Sequence, residues 1–177
     1  MSTLAPIHSV HFYDTHKTLI DRLFGLVSSG FAAGNSVMIV ATQDHRRQLI
    51  DALERAGIDV PMLTAEKRFV MYDTKETLAT FMVGDRPLAP LFMVTVRELL
   101  SGVKQSAGHG VVVFGEMVAA LWEDGNRDGA LELERLCNSL LNETPFHMHC
   151  AYPRALFSDD QAGMFNICKN HSHLVGG

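Results

Sequence analysis

The sequence predicts an α/β domain, a three-layer sandwich in which helices cover both faces of a mostly parallel five-stranded sheet. Five short apolar runs, rich in β-branched and aromatic residues, recur along the chain, and segments with helical spacing separate them. Continuous apolar runs are typical of parallel strands that are buried on both faces. Right-handed crossovers between such strands place helices on both sides of the sheet.

The predicted strands are residues 8–13, 36–41, 68–72, 110–114 and 146–151. The first strand is followed by a helix with Leu19 and Leu23 on its inner face. Asp14 or Thr15 would cap that helix. Gly57 is suited to end a second helix. Three further helices are marked by Leu78, Phe81 and Met82, by residues 91–103 after Pro90, and by Leu133, Leu136, Cys137, Leu140 and Leu141. A last helix is predicted at residues 159–171, with Met164, Phe165 and Cys168 facing inward.

Length and composition are those of one soluble domain that spans residues 1–177. The chain has 47% apolar and 20% charged residues, which is enough to bury a sizeable core. Its formal charge of −5 argues against a surface that binds nucleic acid.

Sequence features also indicate the cellular compartment. The N-terminus lacks the basic stretch and apolar run of a signal peptide, and the longest apolar runs are too short to span a bilayer. Cys137, Cys150 and Cys168 are odd in number and lack the spacing of a disulfide framework, which indicates reduced thiols. We therefore expect a cytoplasmic protein without membrane contact.

Ligands of open parallel sheets bind beyond the carboxyl ends of the strands. In this chain the residues at those ends are mostly polar or aromatic, so a small-molecule pocket is expected there. They are His11, Tyr13 and Asp14; Thr42, Gln43, Asp44 and His45; Tyr72 and Asp73; Gly115 and Glu116; and Cys150, Tyr152, Pro153 and Arg154.

Several of these positions also have a structural interpretation. Asp14, Asp44 and Asp73 each precede a helical pattern, so helix capping is favoured for them over ligand binding. Glu116 is different, because apolar sequence surrounds it. A carboxylate there must be paired, hydrogen-bonded or protonated. It is either a structural ion pair or cap, or a group that binds ligand or acts as a switch.

The turn between the first strand and the first helix does not suit a nucleotide. Lys17 and Thr18 stand where a phosphate-binding loop has Lys and Ser or Thr, but no glycine lies near them. Tyr13 and Asp14 take the space that backbone amides need, and Asp14 would repel a phosphate. An ordinary first helical turn is the favoured interpretation.

Two segments are rich in metal-binding side chains. In the last predicted strand, alternation puts His147 and His149 on one face and Cys150 on the other. In the last helix, Cys168 shares a face with His171, yet it also continues an apolar stripe, which favours a small buried hydrophobe. No C-x-x-C pair occurs. We expect no metal and no other cofactor.

Sequence motifs of hydrolases are missing, since neither a G-x-S-x-G elbow nor an H-E-x-x-H pattern occurs. Cys150, a histidine and Glu116 could form a nucleophilic site, but nothing in their spacing favours one. We expect a binding protein and not an enzyme.

Several segments together resemble the MEDS domain, a methanogen/methylotroph sensory domain of the DcmR type. The most specific are residues 113–122 with Gly125 and Asn126, and residues 150–153. The resemblance runs from residue 8 to residue 174. The other matching segments are residues 11–13, Ala41 and Thr42, Asp44 and His45, residues 131–141 with Glu134 and Asn138, Ile167 and Cys168, and residues 171–173. The chain departs from the family at His147 and His149, where apolar residues are usual, and at Cys137, where an aromatic residue is frequent.

The resemblance implies a RecA/KaiC-like fold that has lost a functional phosphate-binding loop, with the last strand between the first and the fourth. Cys150 and Tyr152 would then lie close to His11, Tyr13 and Glu116. The family is thought to sense small molecules, with simple hydrocarbon derivatives proposed as ligands. Relatives are often fused to DNA-binding modules or histidine kinases, so a kinase or a transcription regulator is the expected partner, and no output domain is expected in this chain.

We therefore expect a sensory domain whose ligand enters at the carboxyl edge of the sheet. Glu116 would be the switchable polar group, and the bound ligand would shift it from one state to the other. The predicted ligand-binding residues are His11, Phe12, Tyr13, Thr42, His45, Glu116, Trp122, Cys150 and Tyr152. Two alternatives stay open: an interaction module without a ligand, and a metal or thiol site that uses Cys150 and the C-terminal histidines. The expected partners are a small organic ligand and a signalling protein, with a homo-oligomer also compatible with the sequence.

Overall fold

The computed structural model describes residues 6–105 and 109–175. Its strands are β1 (Ile7–Tyr13), β2 (Ser36–Ala41), β3 (Phe69–Asp73), β4 (Met82–Val83), β5 (Arg86–Pro87), β6 (Val111–Gly115), β7 (His147–Pro153) and β8 (His173–Val175). Its helices are α1 (His16–Ala32), α2 (Gln43–Arg55), α3 (Val60–Ala65), α4 (Thr74–Ala79), α5 (Ala89–Ser101), α6 (Met117–Glu123), α7 (Arg127–Glu143) and α8 (Gln161–Lys169), with a 3-10 turn at Arg154–Phe157. Among the described helices, none combines the length and the apolar character that crossing a membrane requires.

Six of the strands form a parallel sheet in the order β3-β2-β6-β7-β1-β8, and β4 and β5 form a separate antiparallel hairpin. All five predicted strands are present, and β7 lies between β1 and β6, where the resemblance places the last strand. The predicted number of strands is wrong by one, because β8 pairs with residues Ser9, Val10 and His11 of β1. β8 has only three residues and is largely exposed, so it lacks the apolar run that predicts the other strands.

Helices cover both faces of the sheet, as predicted. On the face that we call the α1 face, α1, α2 and α3 pack through buried residues such as Leu23, Leu49 and Leu63. On the opposite face, the α7 face, α5, α6, α7 and α8 pack through residues such as Phe92 and Leu133. Alternation along each strand therefore decides which of two separate cores a side chain enters.

The predicted third helix is shorter than its apolar spacing indicates. α4 ends at residue 79, and the chain then turns into the β4–β5 hairpin, so Phe81 and Met82 lie beyond the helix. Gly84 has a φ of +61° at that turn, a conformation that glycine adopts without strain. Phe81 is nevertheless fully buried, because its ring packs edge-on against Phe92 with centroids 5.3 Å apart.

The predicted inner face of the last helix is wrong at Phe165, whereas Met164 and Cys168 are partly buried and pack against the core. Phe165 is 60% exposed, and the buried residues of α8 are Gly163 and Ile167. Gly163 lies so close to Trp122 that an added Cβ would be 2.7 Å from the indole ring. The helix therefore approaches the core along the side that carries Gly163 and Ile167, which turns Phe165 outward and leaves Cys168 only partly buried.

Helix capping is confirmed for one of the three aspartates for which it is predicted. The Asp73 carboxylate accepts hydrogen bonds at the start of α4. Thr15 caps α1 and Thr42 caps α2. Asp14 precedes the cap of α1, and Asp44 lies within the first turn of α2, both at exposed positions.

Replacement of Asp73 tests this assignment. Its Oδ1 accepts the N–H groups of Lys75 and Glu76 at 2.9 and 3.2 Å, and its Oδ2 accepts a hydrogen bond from Arg46 Nη2 at 2.8 Å. We expect Asp73→Ala to lower the free energy of unfolding by about 1–2 kcal/mol in urea denaturation, the usual cost of a lost cap. The matched change Asp14→Ala removes an exposed aspartate and should cost less than about 0.5 kcal/mol. Equal losses for the two variants would show that Asp73 does not cap α4.

Candidate functional site at the carboxyl edge of the sheet

Glu116 is a buried carboxylate at the junction between β6 and α6. Its backbone N–H donates to the carbonyl of Val40 at 3.0 Å, which continues the pairing of β6 with β2. Its Oε2 accepts the backbone N–H of Thr42 at 3.0 Å, and its Oε1 lies within hydrogen-bond distance of His45 Nδ1. Glu116 is only 5% exposed. The expectation that this carboxylate must be paired is confirmed, and its partners belong to the N-terminal turn of α2.

A hydrogen-bonded row leads from this carboxylate to the protein surface. His45 Nδ1 donates to Glu116, and His45 Nε2 lies 2.7 Å from His16 Nδ1, in the exposed first turn of α1. Burial alone would lower the pKa of His45, but the hydrogen bond and the charge of Glu116 outweigh it, so the pKa of His45 is raised above its usual 6.5. When His45 is protonated, its Nε2–H donates to His16. We call these three residues the Glu116–His45–His16 row.

The row forms one wall of an open cleft of about 600 Å³ at the carboxyl edge, which we call the edge cleft. Tyr13, Lys75 and Glu123 also line it. Burial, followed by the charges of Glu116 and Glu123, raises the pKa of Tyr13, so its phenol keeps its proton and can donate a hydrogen bond. The cleft thus offers a small polar molecule hydrogen-bond donors and acceptors, together with positively and negatively charged side chains.

The structure brings four of the predicted ligand-binding residues to this cleft. They are Tyr13, Thr42, His45 and Glu116. Sequence reasoning missed His16 and Lys75 as members of the wall. His16 could have been found, because the first turn after β1 faces the same edge of the sheet as the start of α2.

His11 lies elsewhere, in a second cavity of about 460 Å³ between α1 and the strands β1 and β7, which we call the α1 groove. Ser9, Leu23 and His149 also line this groove. Burial lowers the pKa of His11, and it lowers the pKa of His149 to about 4, so both rings are neutral near pH 7. Ser9 Oγ is hydrogen-bonded to His149 Nδ1.

Phe12, Trp122 and Tyr152 lie on the opposite side of the sheet, in the core of the α7 face. The rings of Phe12 and Tyr152 are stacked with centroids 6.0 Å apart, and Trp122 packs edge-on against Tyr152 at 6.3 Å. Phe157 contacts all three rings. These side chains are at most 4% exposed, so they fill a core and leave no room for a ligand between them.

Cys150 borders the α1 groove as part of β7, but its thiol lies on the α7 face in a buried group that we call the α7 polar cluster, made of His8, Glu134, Cys150 and His171. Glu134 is fully buried, which raises its pKa to about 8, and Tyr152 donates its hydroxyl hydrogen to Glu134 Oε1 at 2.7 Å. Burial also raises the pKa of Cys150 and lowers that of His8, and it lowers that of His171 to about 3. Glu134 and His8 were not predicted as site residues.

The structure therefore does not bring the nine predicted residues into one pocket. Cys150 and Tyr152 do pair with Val10 and Phe12 across the β1–β7 ladder. Their side chains nevertheless point away from His11, which is one position out of phase along β1. Nearness in the sheet does not bring side chains together when they project from opposite faces.

Residues 7–172 match the family model described as MEDS, the MEthanogen/methylotroph, DcmR Sensory domain. No curated protein matches the sequence significantly. A solved structure of the uncharacterized protein PH0321 from Pyrococcus horikoshii, in complex with an unknown peptide, is similar over 98% of this chain and 77% of its own, with 14% identity and a TM-score of 0.66. At that identity the likeness supports the α/β fold alone.

The raised pKa of His45 predicts a pH-dependent contribution to stability. Because the native pKa lies above 6.5, the pairing with Glu116 contributes fully below that pH and is lost as pH rises through the native pKa. We expect His45→Gln to lower the free energy of unfolding by about 1–3 kcal/mol at pH 6 and by clearly less at pH 9, as measured by urea denaturation.

The exposed change His173→Gln is the control and should cost little at either pH. Comparison with wild type at each pH cancels the titration of all other groups. A cost for His45→Gln that is the same at pH 6 and pH 9 would contradict the assignment of a protonated His45 paired with Glu116.

Proposed function

Because the chain belongs to the MEDS family of sensory domains, we propose that it is the small-molecule sensory domain of a prokaryotic signal-transduction or transcription-control system, and that its ligand binds in the edge cleft. This proposal rests on the hydrogen bonds that a buried carboxylate makes with the N-terminal turn of another helix. Glu116 at the start of α6 holds the first turn of α2 through Thr42 and His45. A ligand that competes for either bond changes how these two elements are held.

The lining of the cleft defines the class of ligand. Tyr13 offers a hydroxyl, His16 a ring nitrogen and Lys75 a cation, while Ala119 and Ala120 supply a small apolar surface. These groups suit a simple hydrocarbon derivative that carries one hydrogen-bonding group, such as an alcohol, an aldehyde or an amine. A pure hydrocarbon would leave the charged and polar groups without partners and is less suited.

Features at α1 support binding of a small organic molecule over a nucleotide. The strand order, with β7 between β1 and β6, agrees with the RecA/KaiC-like core that the resemblance implies. At the position where such a core would bind phosphate, however, Thr15 Oγ1 accepts the N–H of Thr18, and the N–H of Thr15 donates to Thr18 Oγ1, each at 3.2 Å. These reciprocal bonds use backbone donors that a phosphate would need. The domain then acts by binding, and not as a nucleotide-hydrolysing enzyme.

Transmission of a signal requires two states that bind the ligand differently. In the free state Glu116 and His45 bond each other. In the ligand-bound state the ligand takes one of those bonds, and α2 is released from α6 or held at a different distance. A partner protein, a histidine kinase or a transcription regulator, would detect that change on the surface of α2.

Replacement of Glu116 tests the proposal in a thermal-shift screen of short alcohols, aldehydes, amines and halogenated alkanes. For the wild type, a ligand at a hundredfold excess over its Kd adds about 2.7 kcal/mol, which raises Tm by about 5–10 °C in a chain of this size. We expect Glu116→Gln to reduce the Tm shift by more than half, because the amide oxygen still accepts from Thr42 N–H while the charge that pairs with His45 is gone. The variant should remain folded by circular dichroism.

Glu54→Gln is the matched control, since it removes an exposed carboxylate on α2 away from the cleft, and its ligand response should equal that of the wild type. A full Tm shift in Glu116→Gln would show that the carboxylate is structural only. If no compound of the panel stabilises the wild type, the proposal of a small organic ligand of this class fails.

A further inference from the structure

The α7 polar cluster lies beneath the opposite face of the sheet and plays no part in the proposed sensing. Four donor atoms from four elements meet there: His8 Nε2 from β1, Glu134 Oε2 from α7, Cys150 Sγ from β7 and His171 Nε2 from the segment after α8. All four atoms lie within 4.8 Å of one another. The side chains are almost fully enclosed, at 3% exposure for His8, 0% for Glu134, and 1% for Cys150 and His171.

Hydrogen bonds outside the cluster orient both imidazole rings. His8 Nδ1 lies 2.8 Å from Asn138 Oδ1, and the oxygen is identified because Asn138 Nδ2 donates to the carbonyl of Asn170 at 2.8 Å. His171 Nδ1 lies 2.8 Å from the carbonyl oxygen of Ile167. Each Nδ1 must therefore carry the hydrogen that it donates. In a neutral ring the lone pair is then on Nε2, which points into the cluster.

The carboxylate presents a further lone pair to the same space. Glu134 Oε1 accepts the hydroxyl of Tyr152, while Glu134 Oε2 has no hydrogen-bond partner among the described residues. His171 Nε2 likewise has none in the part of the chain that the structure describes. Oε2 is 3.4 Å from both His8 Nε2 and His171 Nε2. Glu134 Oε2 and His171 Nε2 are thus buried polar atoms without hydrogen-bond partners among the described residues, which is costly, and a cation between them would remove that cost.

Three separations within the cluster match a tetrahedral metal site. Zinc binds nitrogen and oxygen at about 2.0–2.1 Å and sulfur at about 2.3 Å, so tetrahedral angles place N and O about 3.3 Å apart and S and N about 3.5 Å apart. The observed N···O separations are 3.4 Å, and Cys150 Sγ lies 3.5 Å from His8 Nε2. Three of the six separations therefore already have the spacing of a coordination shell, and the other three are no longer than 4.8 Å.

We propose that the α7 polar cluster is a metal site for a divalent first-row transition ion, with zinc as the favoured ion, ligated by His8, Glu134, Cys150 and His171. Two imidazoles, a thiolate and a carboxylate are ligands that zinc accepts, and the two negative charges balance the ion. Four protein ligands close the shell, which is typical of a structural site. The metal would fasten the segment after α8 to β1, α7 and β7.

Metal analysis of the full chain, purified without a chelator and without a histidine tag, tests the proposal. Mass spectrometry of the digested protein should find about one zinc per chain. After the metal is removed, titration with Co²⁺ should give the visible absorption of a tetrahedral ion and a near-ultraviolet charge-transfer band from thiolate to cobalt, and Zn²⁺ should abolish both. Cys150→Ser should lose the charge-transfer band, and His171→Ala should bind Co²⁺ at least ~10-fold more weakly, as loss of a group at a metal centre commonly does.

Cys168→Ser and His173→Ala are the matched controls, because each changes the same residue type nearby but outside the cluster, and both should behave as the wild type. The wild-type titration decides the question even if Cys150→Ser does not fold. Absence of stoichiometric binding, a cobalt spectrum without a thiolate band, or a band that Cys168→Ser abolishes would each overturn the proposal.

Discussion

β1 and β7 are buried as neighbouring strands inside the sheet, with helices on both sides, and this burial governs how their side chains are partnered. Neither face of this pair meets bulk solvent freely, so each polar side chain must find a partner on the side to which it points. His8, Cys150 and Tyr152 meet Glu134 of α7 on one side, while Ser9 meets His149 on the other. The two faces of one strand pair thereby provide two chemically different environments, which are separated by the sheet.

The edge cleft and the α7 polar cluster differ in access, and the difference suggests a division of roles. The Glu116–His45–His16 row begins at a buried carboxylate and ends at an exposed ring, so a molecule in solution can reach it and alter its protonation. The α7 polar cluster is enclosed on all sides, as a site that stabilises the fold requires. Its position beneath β1 leaves the carboxyl edge free, and a firmly held sheet is a suitable base for a switch at that edge.

Much of the fold could be predicted, because five strands carry continuous apolar runs and the helices between them carry clear spacing. β8 could not, since its pairing with β1 depends on tertiary context and not on a pattern of its own. The apolar sequence around Glu116 predicts that its carboxylate has a partner. The partner, His45, lies 71 positions earlier in the sequence and is identified only because β2 and β6 are neighbours in the sheet.

The nine predicted ligand-binding residues are divided between the two faces of the sheet for a physical reason that the sequence does contain. Period-two alternation separates His147 and His149 from Cys150, and the same rule separates His11 and Tyr13 from Phe12. Glu134 was missed as a site residue, although helical spacing places it on the same face of α7 as Cys137 and Leu141. Only the packing of α7 on β1 and β7 shows that it is fully enclosed.

Two histidine environments with opposite protonation exist in this one domain, and a long-range ¹H–¹⁵N correlation spectrum of the nine histidine rings would distinguish them. At pH 6 the account predicts protons on both ring nitrogens of His45, and on Nδ1 alone in His8 and His171. Protons on Nε2 of His8 and His171, together with a neutral His45, would contradict it.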